Sequence, residues 1–210
     1  MHSKIIPVAV INPDAPSESL EAKQPAIDNG AEIYGKDGYF SLHQMEREWE
    51  KVWTKSWLIA GVSSDLQAVG DYFLSRVRSE SIIVTKTEEG VKAFYNVCPH
   101  RGARLLTEER GNKKVFVCPF HSWSFRNSGE LRTITDEETF QDAVICHRPG
   151  LTSVACDEHA GLIFISMADN PPALPEAIGL PAGYLENYQI DKMRVVRHVR
   201  SEWGSNWKVG

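Results

Sequence analysis

The spacing of apolar residues changes character near residue 56. Before it, Leu42, Met45, Trp49, Val52 and Trp53 recur at the spacing of one helix face. Ser41-Leu42-His43-Gln44 precedes them in the form of a capping box, so the pattern predicts an amphipathic helix over 41–54 whose Trp pair packs into a core. After it, short runs rich in Val, Ile, Phe and Tyr predict strands at 56–62, 71–77, 81–87, 91–97, 114–118, 122–126, 162–167 and 193–203. Turn signals stand between them at Glu89-Gly90, Gly111-Asn112 and Asn127-Ser128-Gly129. Many short strands without intervening helical patterns mean an antiparallel all-β fold with one leading helix.

The flanks read differently. Residues 12–38 carry Asn12-Pro13, Pro16, Pro25 and several glycines with little periodicity, the pattern of an irregular arm. Pro171, Pro172, Pro175 and Pro181 break the stretch 168–190 into a loop with room for one turn of helix. The organisation expected is an arm over 1–40, a helix-led β domain over 41–170, and a linker with a further strand over 171–210.

Composition narrows the function. The chain has 210 residues, 20 of them aromatic (Trp 6, Tyr 6, Phe 8), so a core can form and disorder is excluded as the main state. Lys plus Arg total 23 against 28 Asp plus Glu, a net charge of -5 that argues against nucleic-acid binding. No apolar run approaches the ~20 residues of a membrane span, and the N-terminus lacks the features of a signal peptide. Four cysteines are too few for a disulfide scaffold. A cytoplasmic chain with reduced thiols available to a metal is the expectation.

Two segments carry candidate chemistry. Cys98-Pro99-His100-Arg101-Gly102 offers Cys-x-His, and Cys118-Pro119-Phe120-His121-Ser122-Trp123 offers Cys-x-x-His. Each follows a strand-like run, and the residues between them can form a hairpin that sets the two loops side by side. Two thiolates and two imidazoles make a metal site, and both zinc and iron–sulfur clusters accept such ligands. Zinc sites of this composition usually keep the two Cys on one loop and the two His on the other. Here each loop supplies one of each. That mixing suits a 2Fe-2S cluster with one iron on two Cys and the other on two His.

These loops resemble the cluster loops of Rieske non-haem iron oxygenases, the α subunits of aromatic-ring-hydroxylating and related enzymes. The likeness extends through Ser124-Phe125, Asn127-Ser128-Gly129-Glu130-Leu131, Gly161-Leu162-Ile163-Phe164-Ile165 and Ser205-Asn206-Trp207-Lys208, and covers roughly 38–210. It implies a Rieske-type fold of small antiparallel sheets. It also implies Cys98 and Cys118 on a buried iron and His100 and His121 on the outer one. Pro99, Arg101, Gly102, Pro119 and Phe120 would shape the loops, with Gly102 in a conformation a side chain disfavours. Trp123 would shield the cluster. Respiratory Rieske proteins add a disulfide between the loops, and a Ser and a Tyr two and four residues after the second His. This chain has no Cys at those places, and Trp123 and Phe125 in place of the hydroxyls, which implies a lower potential.

The resemblance further implies a donor, either a ferredoxin or a flavin reductase, and a homo-oligomer, a trimer with or without a β subunit. In such subunits a larger domain follows and holds a mononuclear non-haem Fe(II), which activates O2 to hydroxylate an aromatic or other apolar substrate. Its first motif begins just past an Asn-Trp-Lys like Asn206-Trp207-Lys208. The sequence ends at Gly210, so the expectation is that the catalytic domain is absent from this chain, which alone carries electrons and hydroxylates nothing. A stand-alone Rieske ferredoxin-like carrier and a structural zinc module are the alternatives.

Other residues have plainer readings. Cys156 and His159 also stand as Cys-x-x-His, with Cys146-His147 ten residues earlier, but lack the flanking Pro and Gly; a structural or surface role is expected. His2, His43 and His198 read as ordinary surface or half-buried histidines. The charge runs Glu108-Glu109-Arg110 and Asp136-Glu137-Glu138 read as solvated turns, with donor docking the sharper alternative.

Overall fold

A computed structural model describes residues 35–140, 150–197, 199 and 201–209. The arm before 35, and with it His2, lies outside the described residues, as do Cys146, His147 and His198. The chain divides into two units, one over Met1–Gln44 with Gly204–Gly210 and one over Met45–Trp203.

The smaller unit contributes a turn of helix, α1 (Asp37–Phe40), and the start of α2 (Leu42–Glu48). The Ser41 hydroxyl accepts the Gln44 N–H at 3.4 Å, the cap that the sequence pattern predicts. Residues from the end of the chain join it: Asn206 Nδ2 donates to the Tyr39 carbonyl at 3.0 Å, and Lys208 Nζ lies 5.5 Å from the Tyr39 ring centroid.

The larger unit is antiparallel β throughout. Its strands are β1 (Leu58–Val62), β2 (Asp71–Val77), β3 (Glu80–Thr87), β4 (Gly90–Tyr95), β5 (Arg110–Asn112), β6 (Val115–Val117), β7 (Ser124–Arg126), β8 (Leu131–Thr133), β9 (Ser153–His159) and β10 (Leu162–Ser166). Seven form one sheet in the order β1-β10-β9-β4-β3-β2-β5, and three form another, β6-β7-β8. Strand β9 joins two halves of the larger sheet. Its Ser153 and Val154 pair with β4, while Ala155 to His159 pair with β10. Past β10 the proline-rich stretch holds a short α-helix, α3 (Leu174–Ile178).

The apolar runs of β2, β3 and β4 are continuous because both faces are covered. Tyr72, Leu74, Ile83 and Phe94 face one core with Phe116 and Phe125 of the small sheet and Trp123 of the loop between β6 and β7. Phe73, Ile82, Val84 and Ala93 face a second core with Val154, Ile163 and Ile165. Adjacent residues of a strand point to opposite faces, so a doubly buried strand loses polar alternation.

Five expectations need correction. The helix ends at Glu48 and continues as a π-turn (Trp49–Trp53), which breaks the 3.6-residue period. Its stripe builds no core: Leu42, Met45 and Val52 are exposed and the Trp pair is half-buried. It is held instead from outside, by Arg78, which pairs with Glu46 and lies 5.4 Å from the Trp49 ring centroid. Gly111-Asn112 is not a turn but part of edge strand β5. The hairpin expected between the cluster loops does not form, because β5 pairs with β2 while β6 pairs with β7. Finally, no described residue in 193–203 belongs to a strand; Val195, Val196 and Val199 stand exposed without a pairing partner strand among the described residues.

Candidate metal centre

The two Cys-His segments are built alike. In the first, the Cys98 N–H donates to the Ala103 carbonyl at 2.7 Å and the Gly102 N–H donates to the Cys98 carbonyl at 3.0 Å. In the second, the Cys118 N–H donates to the Trp123 carbonyl at 2.8 Å and the Ser122 N–H to the Cys118 carbonyl at 3.0 Å. Each loop thus closes five residues after its Cys. Each turns through a left-handed residue four after it, Gly102 at φ 76° and Ser122 at φ 59°. Pro99 and Pro119 follow the cysteines and fix the entry to each turn.

The first loop leaves the end of β4. The second connects β6 to β7, whose last pair is Val117 with Ser124. Both cysteines sink into the core beneath the small sheet, 1% and 2% exposed, among Leu105, Leu106, Phe116 and Trp123. Burial pushes the Cys98 thiol up from its ordinary value. The backbone N–H groups of His100 and Arg101 pull it down, and the Cys118 sulfur, within hydrogen-bond reach, pushes it up again.

The imidazoles lie together as well. The rings of His100 and His121 have centroids 4.7 Å apart at 66°. Nδ1 is buried in both, and that of His121 has no hydrogen-bond partner. His100 stacks flat on Trp123, at 4.6 Å and 5°, and Phe120 lies tilted on His121 at 4.0 Å. Phe140 meets both His100 and Trp123 edge-on, at 6.2 and 5.8 Å. Trp123 is 1% exposed while Phe120 is 62% exposed, so one ring is a wall and the other a cover open to solvent. The two imidazoles border a shallow cleft with Ser122, Trp123, Thr135, Asp136, Thr139 and Phe140.

The four side chains are therefore grouped like with like, sulfur beside sulfur and imidazole beside imidazole. Among the described residues no set of three or more His, Cys, Asp or Glu surrounds a single ion position. The donor chemistry fits a two-iron cluster. Buried thiols that gain a cationic partner ionise readily, and a buried Nδ1 lacking a partner is relieved by a metal bond. Phe140, Thr135 and Thr139 were not legible in sequence as neighbours of this site, since they come from a segment whose only signal was charge.

Cys156 and His159 do not form a second site. Both lie on β9, three residues apart and hence on opposite faces. Cys156 is paired with Ile165 and packs against the second core, where burial pushes its thiol up to about 12. His159 Nε2 sits 3.3 Å from Glu186 Oε1.

Residues 56–148 match the Rieske 2Fe-2S domain. The chain carries such a domain, a module that holds a 2Fe-2S cluster. Its relatives are oxygenase subunits of Rieske oxygenases. It is 29% identical to the glycine betaine monooxygenase oxygenase subunit of Chromohalobacter salexigens, over 93% of this chain and 43% of that one. It is 33% identical to the carnitine monooxygenase oxygenase subunit of Escherichia coli, over 81% and 46%. It is also 33% identical to the large oxygenase component of a Pseudomonas aeruginosa naphthalene 1,2-dioxygenase system, over 73% and 34%. Among solved structures, a quaternary ammonium Rieske monooxygenase described for carnitine oxidation and inter-subunit electron transfer superposes with a TM-score of 0.75 at 28% identity, over 84% of this chain and 49% of that one. The chain spans less than half the length of these relatives. The expectation of aromatic hydrocarbon catabolism is not supported, because matches over 93% and 81% of this chain are to proteins named for betaine and carnitine. Among the described residues, no helix is long and apolar enough to cross a membrane.

Proposed function

We propose that the chain is the electron-transfer part of an oxygenase subunit, standing between a reductase or ferredoxin donor and a mononuclear iron that activates O2. When bound, a 2Fe-2S cluster supplies one-electron uptake and release. Cys98 and Cys118 hold the inner iron and His100 and His121 the outer one. The observation that carries this is the pairing of two buried sulfurs behind two adjacent imidazoles. Trp123 and Phe140 keep water from the inner side of His100, and Phe120 covers His121. Trp123 and Phe125 bring no hydroxyl donor to the site, which favours a low potential.

The cluster domain is assigned to 41–170, the preceding residues to an arm and 171–210 to a linker towards a catalytic domain. The whole subunit works in the cytoplasm as a homo-oligomer, a trimer in which donor and acceptor irons belong to neighbouring copies. The inter-subunit transfer described for the quaternary ammonium relative supports that arrangement. The glycine betaine and carnitine monooxygenase relatives support a quaternary ammonium compound as the substrate class of the whole enzyme. Metal and sulfide analysis of the purified chain tests the core of the reading. Two irons and two acid-labile sulfides per chain, with a reversible one-electron reduction, are expected of a cluster of this type. Stoichiometric zinc in a colourless protein would overturn it.

A further inference from the structure

The second cluster loop is flanked by paired strands, β6 and β7, so its two ends are fixed by a backbone ladder. The first loop has no such frame. It leaves β4, but the returning chain at 103–109 forms no strand. One side chain stands where the ladder is missing. Asn96, 3% exposed, directs its carboxamide at the returning chain. Its Oδ1 accepts the N–H of Leu105 at 3.2 Å and of Leu106 at 2.9 Å, and its Nδ2 donates to the Leu106 carbonyl at 2.7 Å and to Ser81 Oγ at 3.1 Å. Its backbone N–H donates to the Ser81 carbonyl at 2.8 Å.

The carboxamide therefore engages both the N–H and the C=O of Leu106, as a residue of a neighbouring antiparallel strand would. All its hydrogen-bonding positions are used, which sets its orientation. It ties three segments together: the start of β3, the end of β4, and the exit of the loop bearing Cys98 and His100. Leu105 and Leu106 then enter the same core as both cysteines.

We infer that Asn96 is a positioning residue for the cluster: its side chain replaces a missing strand and holds the first loop in register with the second. This rests on the assignment of Cys98, His100, Cys118 and His121 as ligands. Asparagine is the side chain that fits. Aspartate has the same shape but would set an oxygen against the Leu106 carbonyl and bury a charge. Serine is too short to reach both groups.

The test compares Asn96→Asp and Asn96→Ala with Val84→Ala, a truncation in the second core away from both loops. In cluster-loaded protein, iron release to a chelator and the electron paramagnetic resonance line of the reduced state are recorded beside the thermal midpoint. The Asn96 variants are expected to release iron about tenfold faster or more and to change the line shape, as loss of a ligand-orienting group does elsewhere. Val84→Ala is expected to lower the midpoint with neither effect. Asn96 variants that match Val84→Ala in release rate and line shape at equal loss of midpoint would overturn the inference. Should the variants not fold, amide exchange in the unsubstituted protein decides. Leu105 and Leu106 amides are expected to be protected like those of β3, and exchange at open-loop rates would contradict the role. Absence of iron and sulfide from the unsubstituted protein would instead refute the ligand assignment, not the clamp.

Discussion

Gly102 and Ser122 occupy the same corner of their respective loops, both left-handed, one with a side chain and one without. A Cβ on Gly102 would meet nothing within 4 Å, so Gly102→Ala is expected to cost only the backbone term of about 1–2 kcal/mol. Gly129 is left-handed too, but a Cβ there would sit 2.3 Å from the Phe94 ring. Gly129→Ala is expected to cost distinctly more, and urea denaturation of the two variants checks the order. Cys156 gives a prediction of opposite kind. Its half-buried thiol holds its proton up to about 12, against an ordinary 9.0. Unfolded chain therefore loses that proton first as pH rises, so this group favours folding below pH 9 and the benefit fades between 9 and 12. Alkylation of Cys156 by iodoacetamide at pH 8 is expected to be far slower in the folded than in the urea-unfolded protein, followed by peptide mass analysis. At this scale the proposed ligand set was readable because each Cys-Pro and the following His sit close in sequence. Asn96 was not, since its partners at Leu105 and Leu106 are defined only once the loop has folded back.

At the scale of elements, strands were legible where both faces are buried. Ile82, Ile83 and Val84 are fully buried on β3, and Ile83→Ala is expected to cost about 2–5 kcal/mol, read from urea denaturation. Breaking the exposed Glu46–Arg78 pair by Glu46→Gln, by contrast, is expected to leave the thermal midpoint almost unmoved. The helix was recognisable from its cap and period, yet its apolar stripe misled about packing, because period reports which residues share a face and not what covers that face. Strand β5 was hidden by its glycine. Gly111 is there because the Tyr72 ring lies 2.9–3.1 Å from where a Cβ would stand, so it marks a close approach within a sheet and not a turn. Strand β9 was hidden by Asp157 and Glu158, tolerated because their positions on it are exposed. The apolar residues of 193–203 were read as a strand, but a strand requires a partner for its backbone groups, and none pairs with them among the described residues.

At the scale of the molecule, the two Cys-His loops sit past the ends of β4 and β6, and Cys98 and Cys118 enter one shared core. The 210-residue chain, loaded with its cluster, is expected to accept electrons from a flavin reductase and form no oxygenated product with O2 and a quaternary ammonium compound. Product formation by this chain alone would contradict its role as an electron-transfer part.

The assignment of two sulfurs to one iron and two imidazoles to the other is tested most directly by pulsed electron paramagnetic resonance of the reduced protein with 15N-labelled histidine. Strong coupling to two histidine nitrogens is expected, both lost in a His100→Ala, His121→Ala double variant. Coupling to one nitrogen or none, in a protein that still holds two irons, would contradict it.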